Sequence, residues 1–329
     1  MSIVTFADVQ TAAKRISPYI NNTPVFESQL LNSWLGHKIM FKAECFQKTG
    51  AFKLRGALNM MLKAKENGKL GSQVVASSSG NHAQAVAYAA KILGVKATIY
   101  SAENISKVKA AATQYYGARL DLSATRKVAD EKVAEAAKKQ GVLWMPPFNH
   151  NDIIAGQGTA TLEALKQSGE VDCVFAPVGG GGLVSGALLS TKALNSNTKV
   201  MGVEPLIAND AAESLRTGVI QSLPEQPKTL ADGAATLQVG EKTFPHLQAL
   251  DGFYEVDESK IAYWTQWLQH LLKIHVEPTC AMSMGAVIEW LKSQSSPQKV
   301  LVILSGGNID QQKMLKIWQQ DHLQNVPSL

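Results

Sequence analysis

Two patterns of apolar residues alternate along this chain. Short β-branched or continuous apolar runs recur at 38–46, 73–77, 95–100, 118–122, 171–178, 198–204 and 299–304. Each reads as a strand covered on both faces. Between them, apolar positions repeat at helical spacing over 53–67, 81–93, 105–116, 126–140, 156–167, 182–194, 257–273 and 279–292, with a last helix from about 310. Gly117 and Gly141 close two of these helices, the usual place for a residue that tolerates positive φ. Strand–helix alternation of this kind predicts an α/β protein with open, twisted, mostly parallel sheets flanked by helices.

The segment 71–146 holds its own compact strand–helix set. Gly68, Gly71 and the pair Pro146-Pro147 stand at its ends as hinges. The expected organisation is therefore a larger domain made of 1–70 and 147–329, with a smaller domain, 71–146, inserted into it. A length of 329 residues accommodates two such units. The stretch 216–250, richer in Pro, Gly, Gln and Thr, is expected to be irregular surface structure.

Composition narrows the function classes. With 45% hydrophobic and 18% charged residues the chain has the balance of a soluble globular protein. No apolar run reaches the roughly eighteen residues of a membrane span, and the start Met1-Ser2-Ile3-Val4-Thr5 lacks the basic and apolar regions of an export signal. Cys45, Cys173 and Cys280 are odd in number and widely spaced, which fits free thiols in a reducing, cytoplasmic setting. The sequons at 21–23 and 104–106 are read as chance matches. A net charge of +5 without any basic block interleaved with aromatics argues against a nucleic-acid partner.

Candidate chemistry sits in loops that follow strands. The strand at 171–178 runs into Gly179, Gly180, Gly181 and Gly182 and then opens a helix. Consecutive glycines expose backbone N–H groups, and a helix N-terminus adds its positive end, so the loop suits a phosphate. The dinucleotide fingerprint fails, because Gly181-Gly182-Leu183-Val184-Ser185-Gly186 lacks its second glycine, and no P-loop is present. A second loop, Ser77-Ser78-Ser79-Gly80-Asn81-His82, brings hydroxyls and amides to a helix start and suits a carboxylate. A third, Ser305-Gly306-Gly307-Asn308, lies beyond a strand's carboxyl end, where open parallel sheets place ligands. Glu204 and Asp210 flank a proline-bearing turn, and the two carboxylates with a backbone carbonyl between them would suit a hard cation. Lys53, in the turn Gln47-Lys48-Thr49-Gly50-Ala51-Phe52-Lys53, is a candidate Schiff-base former.

Taken in order, FQKTGAFKLRGA, SSGNHAQA, IAGQGT, PVGGGG, VEP and LSGGN resemble the serine/threonine dehydratase and serine racemase family of fold-type II pyridoxal-phosphate (PLP) enzymes, which includes 3-hydroxyaspartate ammonia-lyases. The resemblance spans nearly the whole chain and implies two open sheets flanked by helices, as in the tryptophan synthase β-subunit. It also implies roles. Lys53 would carry PLP and then act as base at Cα. Phe52 would pack beside the ring, Asn81 would bond its 3′-oxygen, and Gly179 to Gly182 would cradle the phosphate. Ser305 would face the pyridine nitrogen. Ser78, Ser79, Gly80, Asn81 and His82 would surround the substrate carboxylate. Glu204, the Ala208 carbonyl and Asp210 would bind Mg²⁺ or another divalent cation.

The implied reaction is β-elimination of water from L-serine or L-threonine, giving a 2-oxo acid and ammonia. A neutral Ser305 hydroxyl opposite the pyridine nitrogen does not enforce a long-lived carbanion, which favours elimination over transamination. Ser79 leaves racemase activity open as a second acid/base. Racemase and hydroxyaspartate-lyase relatives often carry an arginine early in the helix that here spans 126–140, near a distal substrate carboxylate; alignment places Ala129 or a neighbour there with Arg126 offset, which argues against a dicarboxylate. A homodimer is implied, and no C-terminal regulatory domain is expected.

Overall fold

The computed structural model describes residues 3–329, so Met1 and Ser2 of the N-terminal reading lie outside the described residues. The strands are β1 (Val25–Glu27), β2 (Lys38–Ala43), β3 (Gln73–Ser77), β4 (Lys96–Ala102), β5 (Arg119–Ser123), β6 (Val142–Trp144), β7 (Cys173–Pro177), β8 (Lys199–Pro205), β9 (Gly252–Val256) and β10 (Lys299–Leu304). They form a six-stranded sheet in the order β1-β2-β10-β7-β8-β9 and a four-stranded sheet in the order β5-β4-β3-β6. Every pairing is parallel except β1 with β2. The central strands are apolar throughout because helices cover both faces: Leu301 and Val302 of β10, Val174 and Phe175 of β7 and Val74 and Val75 of β3 are all buried. Among the described residues, no helix is long and apolar enough to cross a membrane.

The four strands of the smaller sheet all come from the segment between Gln73 and Trp144. The parallel central strands match the sequence reading closely. Edge strands β1, β6 and β9 go beyond it; β1 and β6 have three residues each, and all three are mostly half-buried, so they lack a strong apolar signature. The helices Phe6–Ile16 and Gln29–Leu35 also go beyond it, although Thr5 and Asp8 form a reciprocal capping box at the first. The helix expected from 156 begins earlier, at Asn151, because His150 caps it by accepting from the Asp152 amide at 3.2 Å. The stretch 279–292 divides into Pro278–Ala281 and Ser283–Leu291.

Three helices set the position of the candidate loops. The helix Lys53–Glu66 and the helix Gly182–Leu194 both pack on the helix Asn151–Ser168. Glycines let the backbones touch: a Cβ on Gly156 would stand 2.6 Å from the Gly56 Cα, and one on Gly186 would stand 2.6 Å from the Gly158 Cα. Next to the first contact lies a buried ion cluster. Arg55 donates from Nε and Nη2 to both oxygens of Glu44, at 2.7 and 2.8 Å, and from Nη2 to Glu163 at 3.0 Å. Lys42 Nζ reaches the same Glu163 oxygen at 2.6 Å. Arg55 and Glu44 are fully buried.

Removing one partner from such a cluster leaves an uncompensated buried charge, which costs about 3–5 kcal/mol. Arg55→Ala is therefore expected to lower the unfolding free energy by about that amount, measured by chemical denaturation monitored by circular dichroism. A loss below about 1 kcal/mol, the range of exposed pairs, would contradict this account.

Candidate active site

The carboxyl ends of β2, β3, β7 and β10 lead into segments that line one cleft of about 320 Å³. Its wall includes Lys53 and Phe52, the run Ser77 to His82, Gly179 to Gly182, and Ser305. The structure thus brings together every residue the sequence reading assigned to cofactor and substrate. It places Glu204, Ala208 and Asp210 elsewhere, at and beyond the end of β8.

Lys53 begins its helix and is held at the tip, where Nζ donates to the Pro147 carbonyl at 2.8 Å and lies 5.1 Å from the centre of the Phe52 ring. Burial lowers its pKa to about 8, while the negative charge of Glu277 draws it back up. Phe52 is fixed by its backbone N–H, which donates to the Ser305 carbonyl at 2.9 Å, and Ala51 bridges to Gly306, so the Lys53 turn and the Ser305 loop form one unit. The Ser305 hydroxyl is buried and has no hydrogen-bond partner among the described residues.

The glycine loop admits no side chain at its centre. A Cβ on Gly180 would lie 2.2 Å from the Phe148 ring, and Gly181 has φ of +88°, which favours glycine. The loop is braced from behind by Thr243, whose hydroxyl donates to the Gly180 carbonyl at 2.7 Å. That leaves the amide end of the helix Gly182–Leu194 directed to the cleft wall it lines.

On the β3 loop, Ser78, Ser79 and Gly80 are half-buried at the start of the helix Asn81–Leu93. Ser78 Oγ accepts from the Gly80 amide at 3.2 Å. His82 is buried and neutral: desolvation and the nearby charge of Lys53 push its pKa down to about 3. Its Nε2 is 2.8 Å from the Met145 carbonyl and so carries the proton there, leaving Nδ1 as an acceptor.

Several cleft residues escape sequence reasoning. Glu277 is buried, and its carboxylate accepts from Asn81 Nδ2 with both oxygens at 3.0 Å. Burial pushes its pKa up to about 7, against the pull of Lys109. Its only signal is an acid directly before a proline at a helix start, Glu277-Pro278. The irregular stretch 216–250 is not merely surface, since Gly233 and the residues from Ala235 to Gln238 form part of the wall. Arg126 also lines the cleft, with its Nε bonded to Asp130 at 2.9 Å, whereas Ala129 is buried in the same helix.

A half-buried amine, a glycine cradle at a helix N-terminus and an unpartnered hydroxyl suit a phosphorylated carbonyl cofactor. The chain belongs to the pyridoxal-phosphate dependent enzymes, whose family profile matches residues 16–306. It is 42% identical to an L-threo-3-hydroxyaspartate ammonia-lyase of Saccharomyces cerevisiae, over 95% of this chain and 96% of that protein. The crystal structure of a threonine deaminase from T.th. superposes with a TM-score of 0.87 at 42% identity, covering 93% of this chain and 99% of that one. Maize serine racemase gives 0.90 at 35% identity, with 98% and 99% covered. The fold is that of fold-type II PLP enzymes.

The residues present fit PLP: the lone buried Ser305 hydroxyl suits a ring nitrogen, and the glycine loop suits a phosphate. Gly180→Ala would drive a methyl into Phe148. It is expected to weaken PLP retention about tenfold or more, an overpacking cost of about 1–3 kcal/mol, read by visible absorbance after dialysis. Unchanged retention would show that the loop is not the phosphate cradle.

Proposed function

We propose that this enzyme is an ammonia-lyase that removes water from L-serine or L-threonine. The observation that carries the reading is the convergence of the Lys53 amine, the Ser305 hydroxyl and the Ser78–Asn81 loop on one cleft. When bound, PLP supplies the electron sink for a negative charge at the substrate Cα. The protein's residues do the rest. Ser78, Ser79 and Gly80, at the start of the helix Asn81–Leu93, receive the substrate carboxylate. Lys53, with its pKa lowered to about 8, keeps a usable minority of neutral amine near physiological pH, and that form takes the Cα proton on Nζ. The Cβ–O bond then breaks, the leaving hydroxyl takes the proton now carried on Lys53 Nζ and departs as water, and the released enamine hydrolyses to a 2-oxo acid and ammonia. Ser305 would offer the cofactor's ring nitrogen a neutral hydroxyl in place of a carboxylate, which would weaken the electron sink and favour elimination. The same reading takes 71–146 as the smaller domain, with Lys109 from it bonded to Asp232 at 2.9 Å.

The Arg126–Asp130 pair supports an uncharged substrate side chain, because the carboxylate already balances the guanidinium. A second reading, 3-hydroxyaspartate as substrate, is favoured by the presence of Arg126 on the cleft wall and by the yeast relative. Racemisation is a further activity of the same site if Ser79 exchanges the proton on the opposite face. Lys53→Ala is expected to abolish oxo-acid release from L-serine and L-threonine, by at least the roughly 10²–10⁴-fold typical of a lost general base. Ser79→Ala should remove D-serine formation and spare L-serine elimination. A panel of L-serine, L-threonine and threo-3-hydroxyaspartate ranks the substrates; full activity of Lys53→Ala would sink the proposal.

The same reading assigns Glu204, the Ala208 carbonyl and Asp210 to a divalent cation such as Mg²⁺. Both Asp210 oxygens are buried without a well-formed hydrogen bond among the described residues, although the Thr236 hydroxyl stands near enough to draw the Asp210 pKa down. Glu204 accepts from the amides of Ala211 and Ala212, at 3.2 and 2.7 Å. Burial pushes Asp210 up to about 7, and burial with Asp210 beside it pushes Glu204 up to about 9. Without a cation the folded state thus binds protons more tightly than the unfolded state. Stability from these groups is full below the ordinary carboxylate range and is lost as pH rises through about 7 to 9. The metal-depleted protein should therefore melt at falling temperature from about pH 5 to 8, roughly the window of these groups, and added Mg²⁺ should flatten that fall. An identical pH profile with and without Mg²⁺ would refute the site.

A further inference from the structure

Asn81 meets the cleft with an amide that has two chemically different ends, and the structure fixes which end faces which neighbour. Its Oδ1 accepts from Asn308 Nδ2 at 2.9 Å, and that same nitrogen donates to the Thr49 carbonyl at 2.8 Å. Its Nδ2 donates to both oxygens of Glu277. Asn308 presents hydrogens and the ionised Glu277 carboxylate presents only lone pairs, so in that state rotating the Asn81 amide by half a turn would set oxygen against oxygen and nitrogen against nitrogen. Glu277 is itself immobilised. It is 2% exposed, its amide donates to the Gly306 carbonyl at 3.0 Å, and Gly306 packs so closely that a Cβ there would stand 2.8 Å from Oε1. With both carboxylate oxygens at 3.0 Å, one N–H shared between them serves both, and the nitrogen's second hydrogen is left for an oxygen in the cleft.

We infer that Glu277 is a positioning residue for the cofactor: it holds Asn81 with an N–H turned to the cofactor's phenolic oxygen. The inference rests on the assignment of PLP to this cleft. It explains why an acid stands here at the cost of burying its charge. A glutamine in the same place offers both a donor and an acceptor and would pair with either orientation of Asn81. At this position an acceptor with no hydrogens reinforces the orientation that Asn308 already favours, and the charge-assisted bond strengthens it.

The test uses the full chain stripped of cofactor and titrated with PLP, comparing wild type, Glu277→Gln, Asn81→Ala and the double variant. Binding is read by visible absorbance, and the position of the bound cofactor's visible band reports the state of its phenolic oxygen. Glu277→Gln is expected to bind PLP about tenfold more weakly, the scale of one charge-assisted hydrogen bond, with a displaced band. Asn81→Ala should do the same, and the double variant should be no weaker than Asn81→Ala alone. Glu277→Asp, which keeps an acceptor-only group, should restore the wild-type band position. A glutamine variant with wild-type affinity and band, or losses that add in the double variant, would overturn the inference. Failure of wild-type protein to bind PLP at all would instead remove the cofactor assignment on which it rests.

Discussion

The buried contact of Arg55 with Glu44 and Glu163 constrains the rest of the molecule more than any other single interaction. A guanidinium taken wholly out of water has to find its acceptors at fixed geometry, since the desolvation penalty is several kcal/mol per ion and is recovered only by close, well-aligned partners. Arg55 is two residues beyond Lys53 on the same helix, and its partners sit on the turn after β2 and on the helix Asn151–Ser168. Satisfying this one side chain therefore fixes the rotation and height of the helix that presents Lys53. Lys42 and Thr23 complete the cluster, tying the strand end and the N-terminal approach to the same carboxylates. The amide of Gly56, bonded to Gln157 Oε1 at 3.0 Å, repeats the constraint through the backbone.

The helix Asn151–Ser168 works as a common spine. On one side it takes Lys53–Glu66 at the Gly56–Gly156 contact; on another it takes Gly182–Leu194 at the Gly158–Gly186 contact. Because both contacts are backbone to backbone, no side-chain rotamer can loosen the spacing between the lysine turn and the glycine loop. A covalently held, phosphorylated cofactor needs such a fixed distance, because one end is bonded and the other is clamped. Parallel sheet topology supplies the remaining loops, since strands running the same way deliver their carboxyl ends to the same edge.

The central architecture is legible in the sequence because it depends on burial. Strands β3, β7 and β10 are apolar on both faces, and the helices between them keep helical periodicity, so their bounds emerge to within a few residues. The site loops are legible for a different reason: runs such as Gly179 to Gly182 have few structural uses. What cannot be read is pairing across long separations. Nothing local marks Glu277 as the partner of Asn81, 196 residues away, or Phe148 as the ring that fills the space above Gly180. Arg126 stays out of a sequence-based site because alignment gives a position along a helix and not the direction of its side chain. The stretch 216–250 reads as surface because it lacks periodicity, yet irregular backbone is what lines a cleft when it must bend around a ligand.

The electrostatics of the cleft follow from one shared cause with opposite results. Burial disfavours charge on every group it encloses, so it lowers Lys53 to about 8 and raises Glu277 to about 7. A base and an acid are thereby brought within about a unit of each other around neutral pH, although in water they lie about six units apart. Each is held back from its neutral form by a charge near it: Glu277 draws Lys53 up, and Lys109 draws Glu277 down. His82 is the control within the same wall: buried, beside a cation and without an acid partner, it is forced neutral and serves as a fixed hydrogen-bonding group. The difference between a group that can exchange protons and one that only holds its place is thus set by whether an opposite charge shares its burial.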